Sequence, residues 1–193
     1  GVGSGKTTFT RMLAERGAEV IDADQIGHRA LDPGTQTWHS VVDTFGEGVL
    51  AAAGMDVDRK RLGEIVFGDR EKLAALNAIV HPFIMKTIAD TLETLSGTDE
   101  IVILDAALIV ELKLHEALDV LVVVTTKEEA RKQRLSQQRG MSFDDVQKRI
   151  EAQLPIEQLL EEADIVVNND GTLEDLEKEA DRVWEELLRR RSA

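Results

Sequence analysis

The chain has 193 residues, 42% of them hydrophobic, and a formal net charge of −14. That length suits one domain with a small inserted subdomain, and the apolar content is enough for a sizeable core. The charge speaks against nucleic acid as a partner, because binding it requires Lys and Arg to neutralise phosphates. With no cysteine, disulfides, thiolate metal sites and cysteine catalysis are excluded, and a cytoplasmic location fits. No stretch approaches a membrane span, so no membrane partner is expected.

Residues Gly1-Val2-Gly3-Ser4-Gly5-Lys6-Thr7-Thr8 have the composition of a phosphate-binding loop. Glycines let the backbone approach closely and aim N–H groups at a polyphosphate. Lys6 supplies a mobile charge for the β- and γ-phosphates, and the Thr7 hydroxyl suits a Mg²⁺ ligand. A helix is predicted from Thr8 to Arg16, with Phe9, Met12 and Leu13 on one face. The full motif opens with a further glycine after a buried strand. The expectation is therefore a preceding stretch of roughly ten residues, enough for a short strand.

After Gly17, a helix C-cap, Glu19–Asp22 reads as a parallel strand ending at Asp22-Ala23-Asp24. Ligands of open α/β sheets bind at the carboxyl ends of strands. Asp22 and Asp24 thus fall where a phosphoryl acceptor should sit, although one of the two can be the cap of the next helix. Trp38, Val41, Val42 and Phe45 form a helical stripe that reads as core. A loop is expected over Gly46–Gly54, then helices capped by Asp58 and Asp69. His81-Pro82 is expected to break the second of these, because a residue before proline avoids the α region. Residues 56–96 then form a helical block fit to cover a substrate.

Ile101–Asp105 is apolar up to its closing acid, as a strand buried on both faces should be. An acid in that position suits the metal of a phosphate-loop protein, which pairs Asp105 with Thr7 as candidate metal residues. Val120–Val124 is a second buried strand, and Asp164–Asn168 a third. A turn follows at Asn169-Asp170-Gly171, then a final helix from Leu173 to about Arg190, capped by Thr172. Between these strands, Thr126 and Glu129 suit a capping box. Arg134, Arg139 and Arg149 lie beyond it on a predicted helix–turn–helix. Solvated helix charge is one account of these arginines; a lid that closes them over transferring phosphates is preferred.

Strands alternating with helices imply a parallel α/β sheet with right-handed crossovers, of the phosphate-loop NTPase type. Four strands are visible and five expected. Loop, Asp pair, helical insert and arginine lid together point to phosphoryl transfer from MgATP to a small molecule. Asp24 would orient or deprotonate the acceptor hydroxyl, while Lys6, the loop amides and the lid arginines stabilise charge. Another small-molecule kinase, or a nucleotide switch, is a rival. Asp24-Gln25-Ile26-Gly27 fits a GTPase D-x-x-G, but no Asn-Lys-x-Asp guanine-reading motif is present.

The loop, Val20–Asp24, Leu31–Gly34, Ile65–Phe67, Ala78–Ile84, Ala152-Gln153 and Asp164–Gly171 together resemble the dephospho-CoA kinase family, in order and across essentially the whole chain. The resemblance implies ATP-dependent phosphorylation of the ribose 3′-hydroxyl of dephospho-CoA, with ATP and Mg²⁺ as cofactors. It implies a nucleotide core over 1–55 and 97–193, a lid over about 134–150, and a CoA-binding helical domain over 56–96. Carried over by position, Asp24 is the catalytic aspartate, with Lys6 and Arg139 acting beside it. Gly1 to Thr8, Arg134, Arg139 and Asn169 fall on the ATP side, Asn169 near the adenine pocket. Asp24, Arg29, His81, Pro82, Leu108 and Glu111 fall on the substrate side. The family pattern Pro-Leu-Leu-Phe-Glu is replaced here by Ala107-Leu108-Ile109-Val110-Glu111.

Overall fold

The structure, a computed structural model, describes residues 3–52, 54–66, 68–106, 109–110, 114–127, 130 and 155–192. The chain divides into two compact units: Gly1–Val20 with Asp99–Ala193, and Ile21–Thr98.

The first unit starts with α1 (Lys6–Glu15), which buries Phe9, Met12 and Leu13 as the 3.6-residue period requires. The Arg16 and Gly17 N–H groups close the helix on the Leu13 and Ala14 carbonyls, at 3.1 and 3.0 Å. Gly17 then takes φ of 108°, the left-handed turn that lets the chain leave the helix. β1 (Glu19–Asp22) begins here, and the Glu19 N–H donates to the Ile101 carbonyl at 2.9 Å, just ahead of β2 (Val102–Asp105). β3 (Val122–Thr125) and β4 (Ile165–Asn168) run parallel, in register from Val122 beside Ile165 to Thr125 beside Asn168. Among the described residues the strands pair as β1 with β2 and β3 with β4.

Two helices complete this unit. Ahead of β4 lies α6 (Ile156–Glu162), entered from Pro155, whose missing N–H costs nothing at a helix start. The last helix, α7 (Leu173–Arg191), starts at a reciprocal capping box between Thr172 and Asp175. It buries Leu176, Ala180 and Val183 on one stripe. Those side chains join Phe9, Met12 and Leu13 of α1 with Val124, Ile165 and Val167 in one core, and Ile103 of β2 packs against it. The Arg16 guanidinium holds the Asp181 carboxylate at 2.5 Å and so pins α1 to α7.

The second unit is helical. Its elements are α2 (Ala23–Ala30), α3 (Gln36–Phe45), α4 (Arg59–Val66) and α5 (Arg70–Leu95). Thr35 caps α3 through the Trp38 N–H at 3.0 Å. Asp58 accepts the Lys60 and Arg61 N–H groups ahead of α4, and Asp69 those of Glu71 and Lys72 ahead of α5. The caps at Asp58 and Asp69 are those that the sequence predicts. The stretch expected as loop is more ordered: Glu47–Val49 forms a 3₁₀ turn that buries Val49 completely, and Leu50 bridges to Val57. Val49 joins Val41, Leu62 and Val66 in this unit's core.

One expectation fails. Helix α5 does not break at His81-Pro82 but runs through Pro82 for 26 residues. Proline removes one hydrogen bond and crowds the preceding turn. Here α5 packs against α2, α3 and α4, and that packing outweighs the local cost. The block expected over 56–96 shares its unit with α2 and α3.

Candidate active site

The turn before α1 has glycine where only glycine is comfortable: Gly3 at φ 80° and Gly5 at φ 93°. Left-handed residues on either side of Ser4 turn successive N–H groups to one side, the concave arrangement that binds anions. Gly5 is also the N-cap of α1 and has no side chain to occupy the helix's first amides. Those amides and the positive end of the helix dipole are therefore offered to a ligand. Thr7 is exposed in the first turn, and Ser4 is buried.

Lys6, the first residue of α1, places its ammonium on the Asp105 carboxylate at the end of β2. Asp105 is only 8% exposed, and a carboxylate so placed requires a cation or strong donors. The two residues are 99 positions apart in sequence. Packing of α1 on β2 brings them together.

The turn after β4 meets the loop through Asn169. The Asn169 N–H donates to the Thr125 carbonyl at 2.8 Å, and the Thr126 hydroxyl donates to the Asn169 carbonyl at 2.8 Å. Asn169 is buried, and its Nδ2 donates to the Ser4 carbonyl at 2.8 Å. Next to it, Asp170 accepts the Lys127 N–H at 2.7 Å. That amide, and then the Lys127 ammonium at 3.5 Å, hold the Asp170 carboxyl below the usual carboxylate range.

The second unit carries the residues expected on the acceptor side. Asp22 is the cap of α2, accepting the Gln25 N–H at 2.9 Å. This leaves Asp24 exposed in the first turn and free of capping duty. Arg29 is exposed in the last turn of α2, where a cation suits the dipole. Gly27 lets α2 sit close on α5: an added Cβ would come within 3.3 Å of Ile84. His81 is half-buried on α5, and burial pushes its imidazole pKa down; Pro82 beside it is exposed.

Thus Ser4, Lys6, Asp105 and Asn169 are brought together within the first unit, while Asp24, Arg29, His81 and Pro82 lie on two packed helices of the second. Gly1, Val2, Leu108, Glu111, Arg134 and Arg139, with the rest of the expected lid and Glu129 of the expected capping box, lie outside the described residues. Two partners escaped the sequence reading: the Ser4 carbonyl as an anchor, and the bracket of Thr126, Lys127 and Asp170. The Asn-Asp-Gly turn signal, the capping box expected at Thr126 and the family position of Asn169 marked that neighbourhood without naming these contacts.

The donor set fits Mg²⁺. One buried carboxylate and one hydroxyl suit a cation that keeps its waters and takes phosphate oxygens. Among the described residues there is no cluster of three acids or histidines that would cage a metal by itself.

An anion-binding turn feeding a helix, a lysine in its first turn and an acid closing a neighbouring strand define an α/β phosphate-loop protein. The dephospho-CoA kinase family model matches residues 1–175, and the chain belongs to that family. It is 44% identical over 191 residues to a Thermobifida fusca protein named dephospho-CoA kinase, covering 98% of this chain and 94% of that one. A Streptomyces avermitilis protein of the same name is 44% identical over 190 residues, covering 98% and 92%. A crystal structure from Thermus thermophilus superposes with a TM-score of 0.81 at 33% identity, covering 96% of this chain and 93% of that one. The dephospho-CoA kinase of Campylobacter jejuni gives 0.70 at 28% identity, covering 95% and 91%.

Proposed function

We propose that this chain transfers the γ-phosphoryl group of ATP to the ribose 3′-hydroxyl of dephospho-CoA, giving coenzyme A. The observation that carries the reading is the phosphate loop with Lys6 beside Asp105, in a chain of this family. The loop amides and Lys6 hold the β- and γ-phosphates. Asp24 orients the acceptor hydroxyl and takes its proton as the new P–O bond forms and ADP leaves. Thr7 and Asp105 would hold Mg²⁺, which when bound neutralises charge on the phosphates.

The finer assignments complete this reading. Arg134 and Arg139 belong to a lid over about 134–150, and Arg139 stabilises the transferring group. Arg29, His81, Pro82, Leu108 and Glu111 face dephospho-CoA; residues 56–96 belong to the substrate domain, and Leu108 and Glu111 to the nucleotide core. Asn169 lies on the nucleotide side. The two strand pairs belong to one five-stranded parallel sheet, which the shared core under α1 supports. The chain works in the cytoplasm on a small-molecule substrate. No described helix is long and apolar enough to cross a membrane, and the net charge of −14 disfavours nucleic acid.

The test is ADP release by the full chain with MgATP, offered dephospho-CoA, nucleoside monophosphates or no acceptor. Turnover with dephospho-CoA alone, yielding coenzyme A, is the expected result. Turnover with a monophosphate instead would keep the mechanism and move the substrate. ATP binding with no acceptor found would overturn the transferase reading in favour of a nucleotide switch.

A further inference from the structure

The bond from Asn169 to Ser4 spans 165 positions and is buried at both ends. A nest that turns its N–H groups toward an anion must send carbonyls the other way. The Ser4 carbonyl, between left-handed Gly3 and Gly5, is the one Asn169 receives. A buried carbonyl of this kind is costly without a donor. Asn169 is itself held on two further sides, by the Thr125 carbonyl and the Thr126 hydroxyl.

We infer that Asn169 is a positioning residue for phosphate binding: its side-chain amide keeps the Ser4 carbonyl turned away and so holds the loop's N–H groups in their anion-binding orientation. This rests on the phosphate-loop reading above and gives Asn169 a duty separate from contact with the base. The turn after β4, the end of β3 and the phosphate loop act as one braced unit. Order imposed on the loop by phosphate reaches the ends of both strands through this side chain.

The distinguishing probe is inorganic tripolyphosphate, which has phosphates and no base. Asn169→Leu keeps the approximate shape, removes the donor and adds no charge beside the phosphates. The expected result is a weakening of about tenfold, by the same factor for ATP and for tripolyphosphate as a competitor of ATP. A fold defect alone would lower the active fraction and leave both dissociation constants unchanged. Weakening of ATP with tripolyphosphate unaffected would make Asn169 a base contact and overturn the inference, as would unchanged binding of both. Should the variant not fold, nitrogen-15 spectra of the unaltered protein decide. The Asn169 side-chain amide signals must shift on adding tripolyphosphate alone, and their indifference would overturn the coupling. If the unaltered protein binds neither ATP nor tripolyphosphate, the phosphate-loop reading itself falls.

Discussion

The two units solve the problem of placing polar groups in opposite ways. In the first, the decisive contacts join residues 99 and 165 positions apart: Lys6 with Asp105, and Asn169 with Ser4. In the second, the side-chain caps reach only two or three positions along the chain, from Asp22, Thr35, Asp58 and Asp69. A phosphate site needs fixed donors around a highly charged ligand, so it is built where several strand and helix ends converge on one core. A helical unit stacked on local caps leaves its proposed acceptor-side residues exposed, as Asp24 and Arg29 are. On the proposed reading the difference divides labour: preorganised electrostatics on one unit, acceptor-facing groups on the other.

The sharpest way to break that division is to remove the exposed acid and the half-buried cation in turn. Asp24→Asn is expected to lower kcat by roughly 10²–10⁴-fold while ATP binds as before. Lys6→Ala is expected to lower transfer by at least roughly 10²-fold and to weaken ATP binding as well. Steady-state ADP release beside calorimetric ATP titration checks both. Equal turnover for Asp24→Asn and the unaltered enzyme would remove Asp24 from the chemistry. Normal turnover for Lys6→Ala would refute the loop as the phosphate site.

The same contrast can be sharpened through the two cores. Leu13 and Leu62 are each 3% exposed, one in each unit. Replacing either with alanine is expected to cost about 2–5 kcal/mol in urea unfolding. Leu13 lies on the helix that begins at the phosphate loop, so Leu13→Ala should also weaken ATP binding. Leu62→Ala should leave it unchanged. An equal effect of both on ATP affinity would mean that the loop is not braced by its own core.

These two kinds of contact also explain what could be read in advance. Caps, amphipathic stripes and buried strands are encoded within a few residues, so Asp58, Asp69, Thr172 and the Val-rich strands were legible in the sequence. So was the loop, because Gly3 and Gly5 must be glycine for their backbone and Lys6 follows at fixed spacing. Asp105 was legible as a site acid, since it closes an apolar run, but its pairing with Lys6 was not. The donor to Ser4 did not, because nothing local to Asn169 names a carbonyl 165 positions away. Pro82 misled for the opposite reason: its local signal is strong, and the packing of α5 against three other helices, invisible along the chain, overrode it.

That override is measurable. A proline in a helix interior costs up to about 3 kcal/mol relative to alanine. Pro82→Ala is therefore expected to stabilise the protein by about 1–3 kcal/mol in urea unfolding. On the proposed reading of Pro82 as a substrate-side residue, it also raises the KM for dephospho-CoA and leaves that for ATP unchanged. A loss of stability would mean that α5 depends on the proline to fit its neighbours.

The smallest expected effect is the pH response of His81. Burial lowers its pKa from the ordinary 6.5, so the folded protein holds this imidazole neutral in a range where the unfolded chain protonates it. Between 6.5 and the lowered value the unfolded state binds more protons, and stability must rise with pH there. His81's contribution is thus free of penalty above 6.5, worsens as pH falls through that window, and levels off below the folded pKa. Proton-linked urea unfolding from pH 7.5 to 5 should show this slope. His81→Asn, which does not titrate, should flatten the slope against the background of the acidic residues. An unchanged slope would place the imidazole in solvent rather than against the α5 packing surface.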